Sequence, residues 1–293
     1  MSLSEYLQEY DVLNTGSGSG PGALKQAVVR RGCEWFDKNP DEKSIIRENL
    51  SAFGLDSGSD AVRRVIDNLL LHYYEKLIPF CLDAKEYYDY VRERVVAGDG
   101  PGLITAAREQ GKAVVLATAH FGAIELIAPF LAAARLPVVP VLRFKTQHLS
   151  DMARDRAAEM ESSGRFALVR FIEIGRPGTV AAMEMAAALR RKDILISMID
   201  ENTGYSIPVS LLNRKIAGGA GLDRVLNYAG ASVAVFSASM VREGDEHYRF
   251  VLSPVAENSI TPVQDLFDIL GQTVKLHPEQ WYFLHENITF FDT

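Results

Sequence analysis

A histidine and a glutamate with four residues between them are the side chains of this sequence whose types and spacing best fit chemistry. His120 comes just after the apolar run Ala113–Thr118, and Glu125 stands near the start of residues 124–134, which have a helical composition. In open α/β sheets, ligands bind at the carboxyl ends of the strands. Gly122 lies between the two residues and eases the turn that joins a strand to a helix.

The pair predicts general-base chemistry. Imidazole titrates near neutral pH, and a carboxylate behind it fixes the tautomer and stabilises the imidazolium. On one continuous helix, five residues rotate a side chain by about 140°, so we expect His120 on the loop and Glu125 in the first turn of the helix. His120 would then deprotonate the hydroxyl or amine of an acceptor, and Glu125 would orient His120. The competing interpretation is a structural histidine, because a single H-x4-E pattern occurs by chance in many proteins.

The elements that must position this pair alternate along the chain after Gly100. Strand-like runs occur at residues 113–118, 138–142, 167–172, 194–199 and 232–236, and helix-like runs at residues 124–134, 149–161, 180–191 and 222–229. This alternation predicts βαβ units and a mainly parallel sheet. Residues 23–96 instead have helical periodicity. We therefore predict an α/β fold with a central, mostly parallel sheet flanked by helices and an N-terminal helical region.

Residues 14–22 are rich in glycine and serine, which predicts a flexible linker. We expect residues 1–22 to form an N-terminal segment and residues 23–293 a single domain, with a helical part over 23–100 and an α/β part over 101–293. The apolar residues of the first segment have amphipathic spacing, so transient contact with a membrane surface is one interpretation. Glu5, Glu9 and Asp11 would be repelled by anionic lipid, which favours packing against protein. The apolar residues are Leu3, Tyr6, Leu7, Tyr10 and Leu13.

Composition restricts the class of protein. The chain has 31 Lys and Arg against 38 Asp and Glu, a net charge of −7, which argues against nucleic acid as a partner. Cys33 and Cys81 have no metal-finger spacing, and we expect no metal. The longest uncharged run, residues 225–241, is shorter than the ~20 apolar residues of a membrane span. We therefore expect a cytoplasmic protein without a membrane span.

Several blocks of the sequence, in order, resemble the late acyltransferases of lipid A biosynthesis, which add lauroyl or myristoyl chains. The segment around His120 and Glu125 resembles the active-site segment of that family, and the most specific short match is the sequence HPEQW at residues 277–281. The further blocks are residues 47–50, residues 72–80 where the family has a helix leading to the site, residues 141–143 with His148 and Leu149, residues 189–193, residues 199–201 and residues 228–233.

The resemblance implies an acyltransferase with a glycerolipid-acyltransferase-like fold. The donor would be an acyl carrier protein or acyl-CoA thioester, and no cofactor is expected. Arg143, after a predicted strand, would bind a phosphate or carboxylate of a substrate, or else be an exposed or salt-bridged arginine. Asp200 and Glu201 would position the acceptor or pair with Arg143, or else have a purely structural role in their loop. A carrier protein is the expected partner, since carrier proteins are acidic and basic surface residues can guide them. The basic groups considered are Arg30, Arg31, Arg63, Arg64, Arg190, Arg191 and Lys192.

The sequence also departs from the family. Family members usually begin with a membrane-spanning helix, Glu201 stands where glutamine is common, and the PFFG segment of the third block is replaced by residues 210–215. We therefore expect a soluble or carrier-bound acceptor, as in natural-product or specialised lipid biosynthesis. The alternatives are a lipid A-type enzyme at the membrane surface, a thioester hydrolase, and a non-catalytic acyl-binding protein.

The remaining histidines and the aromatic residues after the HPEQW block are predicted to be structural. His72, His148, His247 and His285 have no motif around them, and His277 before Pro278 is predicted to cap or pack. Trp281 and residues 282–284 are predicted to belong to the core.

Overall fold

Helices make up most of the first hundred residues of the computed structural model. They are α1 (Leu3–Glu9), α2 (Gly20–Lys38), α3 (Pro40–Ala52), α4 (Ser59–Leu77), α5 (Ala84–Arg94) and α6 (Gly100–Glu109). The structure describes residues 1–13, 20–144, 147–174, 178–201, 206–219, 221–229, 232–256, 259 and 261–291. Residues 14–19 of the predicted linker, Gly230, Ala231 and the side chain of His148 lie outside this set. None of the helices in the described residues combines the length and apolarity needed to cross a bilayer.

The first helix packs inward against α2. Leu3, Tyr6 and Leu7 are buried, and the indole of Trp35 donates a hydrogen bond to the Met1 carbonyl at 3.2 Å. Three of the five residues of the expected apolar stripe are therefore covered by protein, whereas Tyr10 is exposed. The linker prediction was wrong at its end, because α2 already begins at Gly20 and includes residues 20–22.

A seven-stranded sheet forms the centre of the rest of the chain, in the order β1-β9-β8-β2-β5-β3-β4. All neighbouring pairs are parallel except β8 and β9. The strands are β1 (Val95–Val96), β2 (Ala113–Thr118), β3 (Val138–Leu142), β4 (Ile172–Glu173), β5 (Ile194–Met198), β8 (Val233–Gly244) and β9 (His247–Pro254). A separate antiparallel sheet contains β6 (Ser206–Leu211), β7 (Arg214–Gly219) and β10 (Phe290–Phe291).

The central strand β2 is buried along its whole length. A strand covered on both faces is nearly continuously apolar, and the sequence AVVLAT fits this, with Thr118 as its one polar residue. The helices after α6 are α7 (Ile127–Ala133), α8 (Gln147–Ser162), α9 (Gly178–Arg190), α10 (Gly221–Ala229) and α11 (Pro262–Leu276). Helices α6 and α9 pack against β2, α7 against β3 and α11 against β8. The predicted α/β fold with a mostly parallel sheet and an N-terminal helical region is confirmed.

Some predicted strands differ in length. The run at residues 167–172 forms β4 only from Ile172, although Val169 makes one isolated bridge to Val138. The hairpin strand β9 was not predicted, because its sequence HYRFVLSP mixes charged with apolar residues. Its buried positions Tyr248 and Phe250 alternate with exposed ones, the pattern of a half-buried strand.

Candidate active site

The carboxyl ends of β2 and β5 bring His120 and Asp200 together. Thr118 and Met198 are register partners in these parallel strands, and each of the two site residues follows two positions later. His120 Nδ1 lies 2.9 Å from Asp200 Oδ1, and the backbone N–H of His120 donates to Asp200 Oδ2 at 2.8 Å. The indole of Trp281 donates to the same Oδ2 at 3.2 Å.

This geometry assigns the tautomer of His120. The Asp200 side chain is 1% exposed and its carboxylate accepts hydrogen bonds, so Nδ1 of the neutral ring carries the proton. Nε2 is then the unprotonated nitrogen that can accept a proton. The His120 side chain is 18% exposed, which leaves it accessible from one side.

Glu125 does not make the contact that we expected. It lies in a 3-10 turn at Ile124–Leu126, and its Oε1 is 4.0 Å from His72 Nε2. No hydrogen bond or ion pair joins Glu125 to His120 among the described residues. The expectation that Glu125 orients His120 by direct contact is therefore corrected, because Asp200, which we had assigned to substrate binding, occupies that position.

The path of the backbone explains this difference. Gly122 has a φ of +63°, and the N–H of Ala123 donates to the Met240 carbonyl of β8 at 2.8 Å. The chain leaves His120 along β8, and the turn that carries Glu125 packs against α4. Residues close in the sequence are thus directed to different partners.

Three carboxylates act on His120. Burial lowers the pKa of His120, but the charge and hydrogen bond of Asp200 and the charges of Glu201 and Glu125 outweigh it, so the pKa is raised above 6.5. Glu201 Oε1 is 4.0 Å from Nε2. Glu125 is near enough to act through its charge, although it makes no direct contact.

His72 and His285 differ from His120 in charge. Burial lowers the pKa of His72 well below 6.5, helped by the positive charges of Lys76 and Arg242, and burial also lowers the pKa of His285. Both rings are therefore neutral at pH 7. We predicted structural roles for these histidines, and the structure places both close enough to interact electrostatically with His120.

The loop after His120 requires glycine at position 122. A Cβ there would lie 2.0 Å from the Met240 carbonyl oxygen, a distance that real side chains do not adopt. The N–H of Gly122 donates to the Gln280 carbonyl at 2.9 Å. The loop is thus held between β8 and the HPEQW block.

A buried ion pair between Arg242 and Glu75 also contacts the loop after His120. Arg242 Nε donates to Glu75 Oε1 at 2.7 Å, and its Nη2 donates to Glu75 Oε2 at 2.5 Å and to the Gly122 carbonyl at 2.8 Å. Both side chains are at most 5% exposed. The side-chain amide of Gln280 also bonds the backbone N–H and carbonyl of Arg242. The resemblance placed residues 72–80 on a helix that leads to the site, but no motif singled out Glu75 or Arg242 as its ion pair.

The segment that follows the HPEQW block forms one wall of the site. The N–H of Tyr282 donates to the His120 carbonyl at 2.8 Å, and the Phe283 ring packs edge-on against the imidazole at 4.8 Å. Asn49, from the block at residues 47–50, donates to the carbonyls of Leu284 and Glu286. The His120 segment and the blocks at residues 199–201 and 277–281 therefore meet in space. The prediction that Trp281 and Leu284 belong to the core is confirmed, because both are buried.

The backbone N–H groups of this loop already donate hydrogen bonds to other groups of the chain. The N–H groups of His120, Phe121, Gly122 and Ala123 all donate within the chain. These four N–H groups could serve as oxyanion donors only if those bonds first broke.

Arg143 is at the same edge of the sheet but apart from the pair. It follows β3, which neighbours β5, and its side chain is exposed. Within the described residues it makes no ion pair with Asp200 or Glu201, so the structure does not bring these predicted partners together. No group of three or more His, Cys, Asp and Glu side chains in that part of the chain is arranged to hold a metal ion.

Comparisons with known proteins identify the family. The family model for the bacterial lipid A biosynthesis acyltransferases matches residues 21–288, which include every site residue described above. A search of curated proteins found no match. The matched region extends from α2 to the segment that carries Tyr282 and therefore covers most of the chain. The chain therefore belongs to the bacterial lipid A biosynthesis acyltransferase family.

Proposed function

We propose that the protein transfers an acyl group from the thioester of an acyl carrier protein or coenzyme A to a hydroxyl or amine, with His120 as the general base. The observation that carries the proposal is the 2.9 Å contact between His120 Nδ1 and Asp200 Oδ1. A buried carboxylate on one ring nitrogen leaves the other nitrogen as a base, and it stabilises the imidazolium that forms.

The reaction needs no nucleophile from the protein. Nε2 of His120 takes a proton from the acceptor as the acceptor attacks the thioester carbonyl. A tetrahedral intermediate forms and collapses, the carbon–sulfur bond breaks, and the imidazolium returns the proton to the leaving thiolate. The products are an ester or amide and a free thiol, and His120 is neutral again.

The other residues have proposed roles in binding. Arg143 is exposed and has no ion pair within the described residues, so it is a candidate for the phosphate of the pantetheine arm that both donors carry. Glu201 and Glu125 would face the acceptor. Asp200 is proposed to orient His120 rather than to bind substrate, because both of its carboxylate oxygens are used within the chain.

The acceptor is proposed to be a soluble or carrier-bound intermediate of natural-product or specialised lipid biosynthesis. Residues 210–215 support this, because they replace the family's PFFG segment and form the end of β6 and the start of β7. An acceptor at a membrane surface is the alternative. Vesicle co-sedimentation with and without residues 1–22 distinguishes them, since salt-resistant binding that depends on this segment would favour the membrane.

Thiol release from a series of acyl-CoA and acyl carrier protein donors tests the proposed reaction. His120→Ala should lower turnover by roughly 10²–10⁴-fold, while circular dichroism shows a folded protein. His247→Ala is a matched control, because His247 is exposed on β9. Near-normal turnover by His120→Ala would contradict the proposal.

The same assay distinguishes the alternative functions. Thiol release that no acceptor accelerates would indicate a thioester hydrolase, and binding of acyl donors without thiol release would indicate a non-catalytic acyl-binding protein.

A further inference from the structure

Two partly exposed carboxylates act on His120, and one of them lies near its base nitrogen. Glu201 Oε1 is 4.0 Å from Nε2, with 34% of its side chain exposed. Glu125 acts on the same ring through its charge, and 37% of its side chain is exposed. Asp200 is not part of this exposed group, since it is buried behind the ring.

No cation of the described chain neutralises either glutamate. Neither one has a Lys or Arg nitrogen within 4.0 Å among the described residues. Within the part of the chain that the structure describes, the one basic side chain paired with Glu125 within 4.0 Å is His72, and burial keeps that ring neutral. Arg242 acts on His72 through its charge, but its guanidinium forms an ion pair with Glu75. The accessible side of His120 is therefore strongly negative.

His72 provides a second, independent observation. Its side chain is nine-tenths buried, and the ring makes no hydrogen bond to the described residues. Its Nε2 and the Glu125 carboxylate are 4.0 Å apart, which is wider than a direct hydrogen bond. A hydrogen-bond donor that enters between the His72 ring and the Glu125 carboxylate would therefore bond to both.

We propose that the acceptor presents a protonated primary amine to this site, so that the product is an amide. This inference rests on the proposed acyl transfer. An ammonium group carries three donors and one positive charge, which suits Glu125, Glu201 and the neutral ring of His72. A phosphate near the reacting group would be repelled by the same carboxylates, and a neutral hydroxyl would leave their charges without a partner.

The amine reacts after it loses one proton. Neutral His120 takes that proton at Nε2, and the nitrogen lone pair attacks the thioester carbonyl. The carbon–sulfur bond breaks as the imidazolium protonates the thiolate, and the second proton lost from nitrogen is released to water. One ammonium and one thioester thus give one amide, one thiol and one proton.

Competition between matched acceptors tests this inference. Octylamine, octanol and octyl phosphate would be supplied with a donor from which the protein releases thiol, and amide and ester would be separated by mass spectrometry. The His120→Ala protein gives the uncatalysed background for each acceptor. We expect kcat/KM for octylamine to exceed that for octanol by about tenfold or more, the effect of one charge-assisted hydrogen bond.

The glutamate variants make the test specific. Glu201→Gln should raise KM for octylamine about tenfold, with a smaller change in kcat. Glu34→Gln is the matched control, because Glu34 on α2 has a similar exposure of 37% and should leave KM unchanged. A preference for octanol or octyl phosphate, or thiol release that no acceptor accelerates, would overturn the amine assignment. Absence of any His120-dependent thiol release would overturn the acyl-transfer proposal together with it.

Discussion

Asp200 holds His120 at two points, since one carboxylate oxygen contacts the ring nitrogen Nδ1 and the other accepts the backbone N–H of the same residue. The first contact fixes the tautomer, and the second fixes the position of the loop. The buried side chain of Asp200, after β5, therefore determines which ring nitrogen of His120 carries the proton and where His120 lies after β2.

Asp200→Asn should lower turnover about 10³-fold, because an amide cannot stabilise the imidazolium and can donate to Nδ1, which favours the wrong tautomer. Single-turnover acyl transfer with saturating donor measures the loss. Asp193→Asn, just before the other end of β5, is the control. The His120→Ala, Asp200→Asn double variant should be little worse than His120→Ala alone, and multiplication of the two losses would mean that the residues act independently.

The pH profile of kcat/KM should show one rising limb with a midpoint above 6.5, because His120 must be neutral to accept a proton and its pKa is raised. Glu201→Gln and Glu125→Gln should each move the midpoint to lower pH, because each removes a charge that stabilises the imidazolium. Initial rates at constant ionic strength measure this. A midpoint that stays fixed in both variants would show that another group controls the limb.

Stability should fall as pH drops from 7 to 5. Burial lowers the pKa of His72 and His285 in the folded chain, so below about 6.5 the unfolded chain binds more protons and is favoured. His120 acts in the opposite direction, since its raised pKa contributes stability at low pH that is lost as pH rises through that pKa. Urea unfolding at several pH values measures the balance. His72→Gln should weaken the acid dependence, and an unchanged slope would contradict the assignment.

Gly122→Ala should destabilise the fold by more than about 2 kcal/mol and abolish turnover, because the new Cβ meets the Met240 carbonyl in a backbone conformation that only glycine adopts easily. Gly102→Ala is the control, because a Cβ there meets no atom within 4 Å. Thermal unfolding and activity would be measured together. A stable, active Gly122→Ala protein would contradict the described path of the loop.

Arg242→Met should destabilise the protein by roughly 3–5 kcal/mol, because it leaves the Glu75 carboxylate buried without a partner. Burial already raises the pKa of Glu75 despite the arginine. Combining Arg242→Met with Glu75→Leu should recover much of the lost stability, since an apolar pair replaces an unpaired charge. Chemical denaturation measures both, and a double variant less stable than Arg242→Met would show that the ion pair itself is required.

A mainly parallel sheet and five of its seven strands could be predicted, because continuous apolar runs such as β2 leave few alternatives. The position of His120 followed from the end of that strand. The partner of His120 could not be predicted, because Asp200 reaches it through the pairing of β2 with β5, and the sequence separates the two residues by eighty positions. The supporting pair Glu75 and Arg242 was missed for the same reason, since no short-range pattern links α4 to β8.

The strands β6, β7 and β9 could not be predicted from alternation of apolar runs, because their exposed residues interrupt the apolar pattern. Glu125 illustrates the limit of spacing arguments. The five-residue step predicted a meeting with His120 on a turn, but the bonds of Gly122 and Ala123 to other elements direct the turn towards His72. The local geometry of the turn permits a contact between Glu125 and His120, but the packing of the turn against other elements places Glu125 beside His72 instead.

The His120 loop and Asp200 form hydrogen bonds with Gln280, Trp281 and Tyr282, near the end of the sequence. These bonds determine when the site can be completed during synthesis. Strands β2 and β5 can leave the ribosome long before residues 280–282 are translated. Until those residues arrive, the N–H of Gly122 and the carbonyl of His120 lack their partners, and Asp200 lacks the indole. A nascent chain therefore carries an incomplete His120 loop, and the proposed activity depends on contacts of long sequence separation, which form slowly.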